Sequence, residues 1–276
     1  MATETPPRPI DQARSQIRSA LADSSQLLLC LDFDGTLAPI VEQPDEAEAT
    51  TANENAVATL AAEPDVSIAI VSGRALADVR DRIDGPDIYA GNHGLEFDRN
   101  GSIAVHPVAR KRAGRLEEVC ATLETVLGSV PNCRIENKRL TGTVHFRSVP
   151  PAARPIVRRR TESIVDRFGD GALEISDGKC ILEIEPTVQW GKGDAVELIA
   201  SAMPGETVPL YIGDDVTDES AFGVVEPQGF GVRVGDDGES AASCRVDSPD
   251  EVASFLDWLG STGVELLEAD STQRLH

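Results

Sequence analysis

Residues 26–37 read QLLLCLDFDGTL, an unbroken apolar run from Leu27 to Leu31 that ends in Asp32, Phe33, Asp34, Gly35 and Thr36. A short continuous run of this kind suits a strand of a parallel sheet covered on both faces, where no polar alternation is needed. The polar residues that follow then sit just past the carboxyl end of the strand, where open α/β sheets bind their ligands. Asp32 and Asp34 are two apart, so in extended chain their side chains share one direction.

Four further segments repeat the pattern: VSIAIVSG (66–73), DIYAGNHG (87–94), VPLYIGDD (208–215) and GFGVRVG (229–235). Residues 51–62, 75–83, 192–202, 218–225 and 248–260 carry apolar positions at spacings of three and four, which predicts helices between the strands. Strand alternating with helix is the signature of a doubly wound α/β fold with a Rossmann-like parallel sheet. From 107 to 186 the rhythm changes. Helices over 115–127 and 153–168 flank strands at 133–137, 140–149, 172–176 and 179–185, which reads as an inserted α+β domain. The expected division is a discontinuous core, 1–106 with 187–276, and a cap, 107–186.

Composition narrows the function. Of 276 residues 41% are hydrophobic and 26% charged, an ordinary soluble balance. The charge is not ordinary: 25 Lys and Arg face 47 Asp and Glu, for a net charge of -22. Such a chain is repelled by phosphate backbones and anionic lipid, so nucleic acid and membrane partners are not expected. No apolar run approaches the roughly 20 residues of a membrane span, and the polar, Pro-rich start resembles no signal peptide. Five scattered cysteines without CxxC spacing point to reduced thiols in a cytoplasmic protein; the sequence leaves the oligomeric state open, with a monomer favoured.

The strand ends gather the chemistry. Asp32 and Asp34 follow the first strand, Ser72, Gly73 and Arg74 the second, Asn92 and His93 the third, and Asp214, Asp215 and Asp218 the fourth. Single acidic residues there often cap a helix or shape a turn. Two clusters together point instead to a hard cation, and Mg²⁺ takes one or two carboxylates beside water and phosphate oxygens. Lysine is scarce, and three of the four present (Lys138, Lys179, Lys192) lie in the motifs quoted below; a chain that otherwise uses arginine keeps lysine where a compact, mobile charge is needed. His145 has no second His or Cys at ligand spacing, which excludes zinc.

DFDGTL at 32–37, SGR at 72–74, Lys192 and GDDVTD at 213–218 resemble the four motifs of the haloacid dehalogenase superfamily of phosphatases. Within it, DFDGTLAPI with Pro44, GNHGLE (91–96), ENK and HFR (136–147), GKCILEIEP (178–186), WGKGDAV (190–196) and YIGDDVTDESAF (211–222) resemble the trehalose-6-phosphate phosphatase family. The resemblance covers residues 26 to 235. It implies Asp32 as nucleophile, Asp34 as general acid and base, and Ser72 and Lys192 as holders of the phosphoryl oxygens. It implies Mg²⁺ on Asp32, the Asp34 carbonyl and Asp214, with Asp215 and Asp218 behind them. Substrate contacts fall to Gly73, Arg74, Asn92 and His93, and to Glu136, Lys138, Arg147, Lys179 and Glu183 on cap strands. Glu185 stands where the family usually has Arg. The implied substrate is a sugar phosphate, trehalose 6-phosphate first, with sucrose 6-phosphate, glucosylglycerol phosphate and mannosyl-3-phosphoglycerate as alternatives. A phosphomutase or an inactive sugar-phosphate-binding subunit is a more distant reading.

The acid excess and lysine scarcity also resemble proteins of high-salt cytoplasm. Self-repulsion at net charge -22 weakens the fold in dilute buffer, and the Debye length shrinks to about 3 Å at 1 M salt. The melting temperature is therefore expected to rise steadily from dilute buffer to molar KCl, read by calorimetry; a flat or falling curve overturns the halophilic reading.

Overall fold

The computed structural model describes residues 6–41, 43–178 and 180–267. It divides into two compact units, residues 1–103 with 190–276 and residues 104–189.

In the larger unit the chain runs β1 (Arg8–Pro9), α1 (Ile10–Ala22), β2 (Gln26–Leu31), α2 (Thr51–Ala61), β3 (Val66–Val71), α3 (Leu76–Arg80), β4 (Ile88–Gly91), β5 (Glu96–Arg99) and β6 (Ser102–Val105). The smaller unit continues with α4 (Pro107–Leu127), β7 (Arg134–Asn137), β8 (Gly142–His145), α5 (Arg154–Gly169), β9 (Leu173–Gly178) and β10 (Ile181–Pro186). The chain then returns as α6 (Lys192–Ser201), β11 (Thr207–Gly213), α7 (Glu219–Val225), β12 (Phe230–Val234), β13 (Cys244–Val246) and α8 (Pro249–Trp258).

The large sheet has nine strands in the order β1-β13-β12-β11-β2-β3-β4-β5-β6. It is parallel from β1 to β4 and turns antiparallel at β5. Period-two alternation sorts its central residues into two cores. Leu27, Leu29, Leu31, Ile68, Ile70, Leu210 and Ile212 pack with α1, α2 and α8 on one face. Leu28, Cys30, Ala69, Val71 and Tyr211 pack with α6 and α7 on the other. Each buried Leu or Ile contributes about 1.5–3 kcal/mol, so the apolar run at 27–31 anchors both layers.

The elements outside the sequence-based expectations include β1, β13, α1, the β5–β6 hairpin and the first turns of α4. Helix α1 buries Ile10, Ala13, Ile17 and Leu21, a real but thin stripe on a mostly polar helix. The β5–β6 hairpin turns through Asn100 and Gly101, whose φ of 52° and 83° suit a tight two-residue hairpin turn. Helix α4 begins at Pro107 rather than 115, because its first two turns bury only Ala109 and so show no apolar stripe.

In the smaller unit an antiparallel sheet, β7-β8-β10-β9, covers one face with α4 and α5. Leu182, Ile184, Val144 and Leu173 are buried there. On the opposite face Glu136, Thr143, Glu183 and Ser176 lie in one cross-strand row. The units differ in charge: residues 104–189 hold 14 Lys and Arg against 11 Asp and Glu, the rest of the chain 11 against 36. Among the described residues no helix is long and apolar enough to cross a membrane.

Candidate active site

The carboxyl ends of β2, β3 and β11 bring the candidate residues of the larger unit together. Asp32 extends β2, its amide donating to the Ile212 carbonyl at 2.9 Å. Beyond it the chain folds back through Gly35 (φ 78°), and Leu37 and Ala38 donate to the Phe33 carbonyl. The turn lets the Asp214 carboxylate approach so closely that a Cβ on Gly35 would lie 2.2 Å from its Oδ2.

Asp32 is 5% exposed and Lys192, at the start of α6, is 3% exposed. Lys192 Nζ lies 3.0 Å from Asp32 Oδ1 and donates to Asp218 Oδ1 at 2.7 Å. Fully buried Asp218 also accepts the Tyr211 hydroxyl on Oδ1 at 2.6 Å and the Asp215 amide on Oδ2 at 2.9 Å. Burial raises the Asp32 pKa well above the carboxylate range; Lys192 opposes this, and Asp218, Asp214 and Asp34 add to the rise. For Lys192, burial favours the neutral amine, but the charges of Asp218 and Asp32 outweigh it and the ammonium persists. Burial likewise pushes Tyr211 up, keeping its hydroxyl a donor.

One oxygen each of Asp32, Asp214 and Asp218 lie within 4.8 Å of one another. Since three donors already engage Asp218, the carboxylates better suited to a cation are Asp32 and half-buried Asp214. This all-oxygen set, crowded with like charge, suits a hard divalent ion.

Asp34 faces elsewhere. Arg74 grips it with two parallel bonds, Nε to Oδ2 at 2.7 Å and Nη2 to Oδ1 at 2.6 Å. The same guanidinium donates to Asp78 Oδ2 and the Pro44 carbonyl, each at 2.7 Å. Arg74, expected to touch substrate, makes these four bonds to Asp34, Asp78 and Pro44. Its amide donates to Ser72 Oγ at 3.2 Å, tying Ser72 to the same loop. Asn92 and His93 follow β4 with φ of 50° and 57°, rare for residues other than glycine. Asn92 donates to buried Glu96 at 2.7 Å, which also accepts the Leu76 amide. His93 lies against Gly73, where a Cβ would come within 2.6 Å of its Cε1. Asp215 is exposed.

The remaining candidates lie in the smaller unit. Glu136 accepts from His145 at 2.7 Å, and Lys138 pairs with Glu183 at 3.3 Å. Burial tends to raise the Glu136 pKa, but His145, Lys138 and Arg134 hold it below its ordinary value. Arg147 is exposed, Ser176 donates to Glu185 at 2.9 Å, and Lys179 lies outside the described residues. Sequence reasoning overlooked Tyr211, Asp78 and Glu96. Asp78, four residues after Arg74 in a helical pattern, was the readable one.

A family model described as trehalose-phosphatase matches residues 30–250. The chain belongs to that family. It is 36% identical over 240 residues to a trehalose-phosphate phosphatase of Mycobacterium ulcerans, covering 83% of this chain. It spans 60% of that relative's own length. A solved trehalose-6-phosphate phosphatase related protein superposes with a TM-score of 0.76 at 27% identity, covering 86% of this chain and 99% of that one. A haloacid dehalogenase-like hydrolase of Bacteroides thetaiotaomicron, 17% identical, shares the fold with a TM-score of 0.60 over 85% of this chain and 99% of its own.

Gly35→Ala is expected to lower unfolding stability by about 1–2 kcal/mol, the cost of a left-handed L-residue, and to turn the Asp214 side chain away from Gly35. Urea unfolding and a crystal structure of the variant read the two effects; full stability with Asp214 unmoved overturns the argument.

Proposed function

We propose that the chain is a magnesium-dependent phosphatase converting trehalose 6-phosphate to trehalose and phosphate in trehalose biosynthesis. The observation that carries this reading is the buried Asp32–Lys192 pair at a strand end beside Asp214, in a chain of this family. Asp32 Oδ2 or Oδ1 attacks phosphorus as the ester P–O bond breaks, leaving an aspartyl-phosphate, and Asp34 delivers a proton to the departing sugar oxygen. Asp34 then takes a proton from water, which attacks the phosphorus and frees Asp32 and inorganic phosphate. Such proton transfers contribute about 10²–10⁴-fold. Lys192 and the Ser72 hydroxyl hold phosphoryl oxygens through the transfer. Asp32, the Asp34 carbonyl and Asp214 would hold Mg²⁺, which when bound supplies charge neutralisation and orientation of the phosphate.

These groups address a phosphoryl group, which every phosphomonoester offers, so sugar recognition falls to other side chains. The polar sheet face with Glu136, Lys138 and Glu183 supplies donors and acceptors of the kind sugar hydroxyls require, and Lys179, Arg147, Asn92, His93 and Gly73 belong to the same reading. A cytoplasmic setting completes it, supported by five free cysteines, and a monomer is the expected state; burial pushes the Cys30 thiol up to about 12, so it serves as core and not as nucleophile.

Phosphate release from trehalose 6-phosphate tests the proposal. Activity is expected with Mg²⁺, lost with EDTA, restored by Mg²⁺, and absent from folded Asp32→Asn. Turnover by Asp32→Asn without deamidation overturns the covalent route, and preference for sucrose 6-phosphate overturns the substrate.

Arg74 yields a sharper outcome. Because it sets the plane of the Asp34 carboxylate, Arg74→Ala is expected to lower kcat on trehalose 6-phosphate at least about tenfold more than on p-nitrophenyl phosphate, whose leaving group needs no proton. Comparing two substrates on one protein cancels any folding loss. Equal losses assign Arg74 to the scaffold alone.

A further inference from the structure

We infer that Tyr211 is a positioning residue for phosphoryl transfer, acting through Asp218 on Lys192. This rests on the reading that Lys192 holds phosphoryl oxygens. Among the described residues Tyr211 is the largest fully buried side chain, and it is the fifth member of a run, Thr207–Gly213, whose neighbours are otherwise Val208, Pro209, Leu210 and Ile212. Its ring packs edge-on against Phe222 at 5.5 Å between centroids. A phenylalanine would fill the same space without a polar atom to satisfy in the core. The hydroxyl is present, and it donates to Asp218 Oδ1 at 2.6 Å, the same oxygen that receives Lys192 Nζ.

The geometry makes that shared oxygen decisive. Asp218 is held from two further sides: its carboxylate lies against Gly213, where a Cβ would fall 2.4 Å from Cγ, and its Oδ2 accepts the Asp215 amide. Lys192 stands between Asp218 at 2.7 Å and Asp32 at 3.0 Å, so its ammonium divides its attraction between an anchor and the nucleophile. The Tyr211 donor partly neutralises the anchor oxygen, weakening its hold on the ammonium and leaving more of that charge for Asp32 and the phosphoryl oxygens. Removing the hydroxyl concentrates Asp218 on Lys192 and draws the ammonium away from the reacting group. Because the effect is exerted on charge that matters as the phosphoryl group transfers, it appears in kcat and not in ground-state binding.

The test is Tyr211→Phe in the full chain. The expected result is a loss of about tenfold in kcat, equal to about 1.4 kcal/mol, with KM changed less than twofold. The loss is expected to be the same on trehalose 6-phosphate and p-nitrophenyl phosphate, because Lys192 meets the part they share. Orthovanadate, a mimic of the five-coordinate transfer state, is expected to lose about tenfold in inhibition while inorganic phosphate loses none. In an Asp218→Asn background the same change is expected to have no further effect; should Asp218→Asn not fold, the vanadate-to-phosphate contrast decides alone. Unchanged kcat, a loss confined to KM, or equal losses for vanadate and phosphate overturn the inference. Lys192→Gln is the separate control: if it retains full kcat, the reading of Lys192 fails, whatever Tyr211 does.

Discussion

Lys192 carries a positive charge to a place that water barely reaches, and Asp32 and Asp218 are the counter-charges that let it stay. Removing one member of such a buried set leaves an uncompensated charge, at a cost of about 3–5 kcal/mol. Much of the local architecture serves this arrangement. Gly213 leaves room for Asp218, Gly35 leaves room for Asp214, and the amide of Asp215 and hydroxyl of Tyr211 add two further donors to Asp218. Asp34, two residues from Asp32, is kept out of the cluster by Arg74. The site therefore separates its carboxylates by partner: Asp32 and Asp218 face lysine, Asp34 faces arginine, and Asp214 stands beside Gly35.

The parallel sheet was legible because its strands are buried on both faces and read as continuous apolar runs. The ends of those runs gave away Asp32, Ser72 and Asp214 as neighbours, since parallel strands align their carboxyl ends. What escaped followed a different logic. Helix α1 spreads four buried residues across thirteen, and the first turns of α4 have almost no buried side to reveal. The Asn100–Gly101 turn was readable from its residues alone and was passed over. The partners of individual side chains were the least legible. Nothing in the spacing tells that Arg74 turns to Asp34 and not outward, or that Lys138 and Glu183 pair with each other, because those choices are made by loops whose course depends on the whole sheet.

The charge of the chain is unevenly placed. The acid excess belongs wholly to the larger unit, while the smaller one carries slightly more base than acid. Carboxylates on a surface attract cations and repel other anions, so a near-neutral to basic unit within the same chain is the part least costly for any anion to approach. Salt screens the two units differently for the same reason.

The order of strands has a consequence for synthesis. β2 pairs with β11 through Gln26–Leu31 and Thr207–Ile212, and Ser25 reaches Glu206 across 181 positions. A ribosome thus makes the apolar β2 first, completes an entire second unit, and only then makes its central neighbour β11. Until that moment Leu27–Leu31 has one open edge, the kind of surface on which unfinished chains associate. The inserted unit, local in its own pairing, is free to fold during the delay, and the nascent core is the portion with most to gain from a holding chaperone.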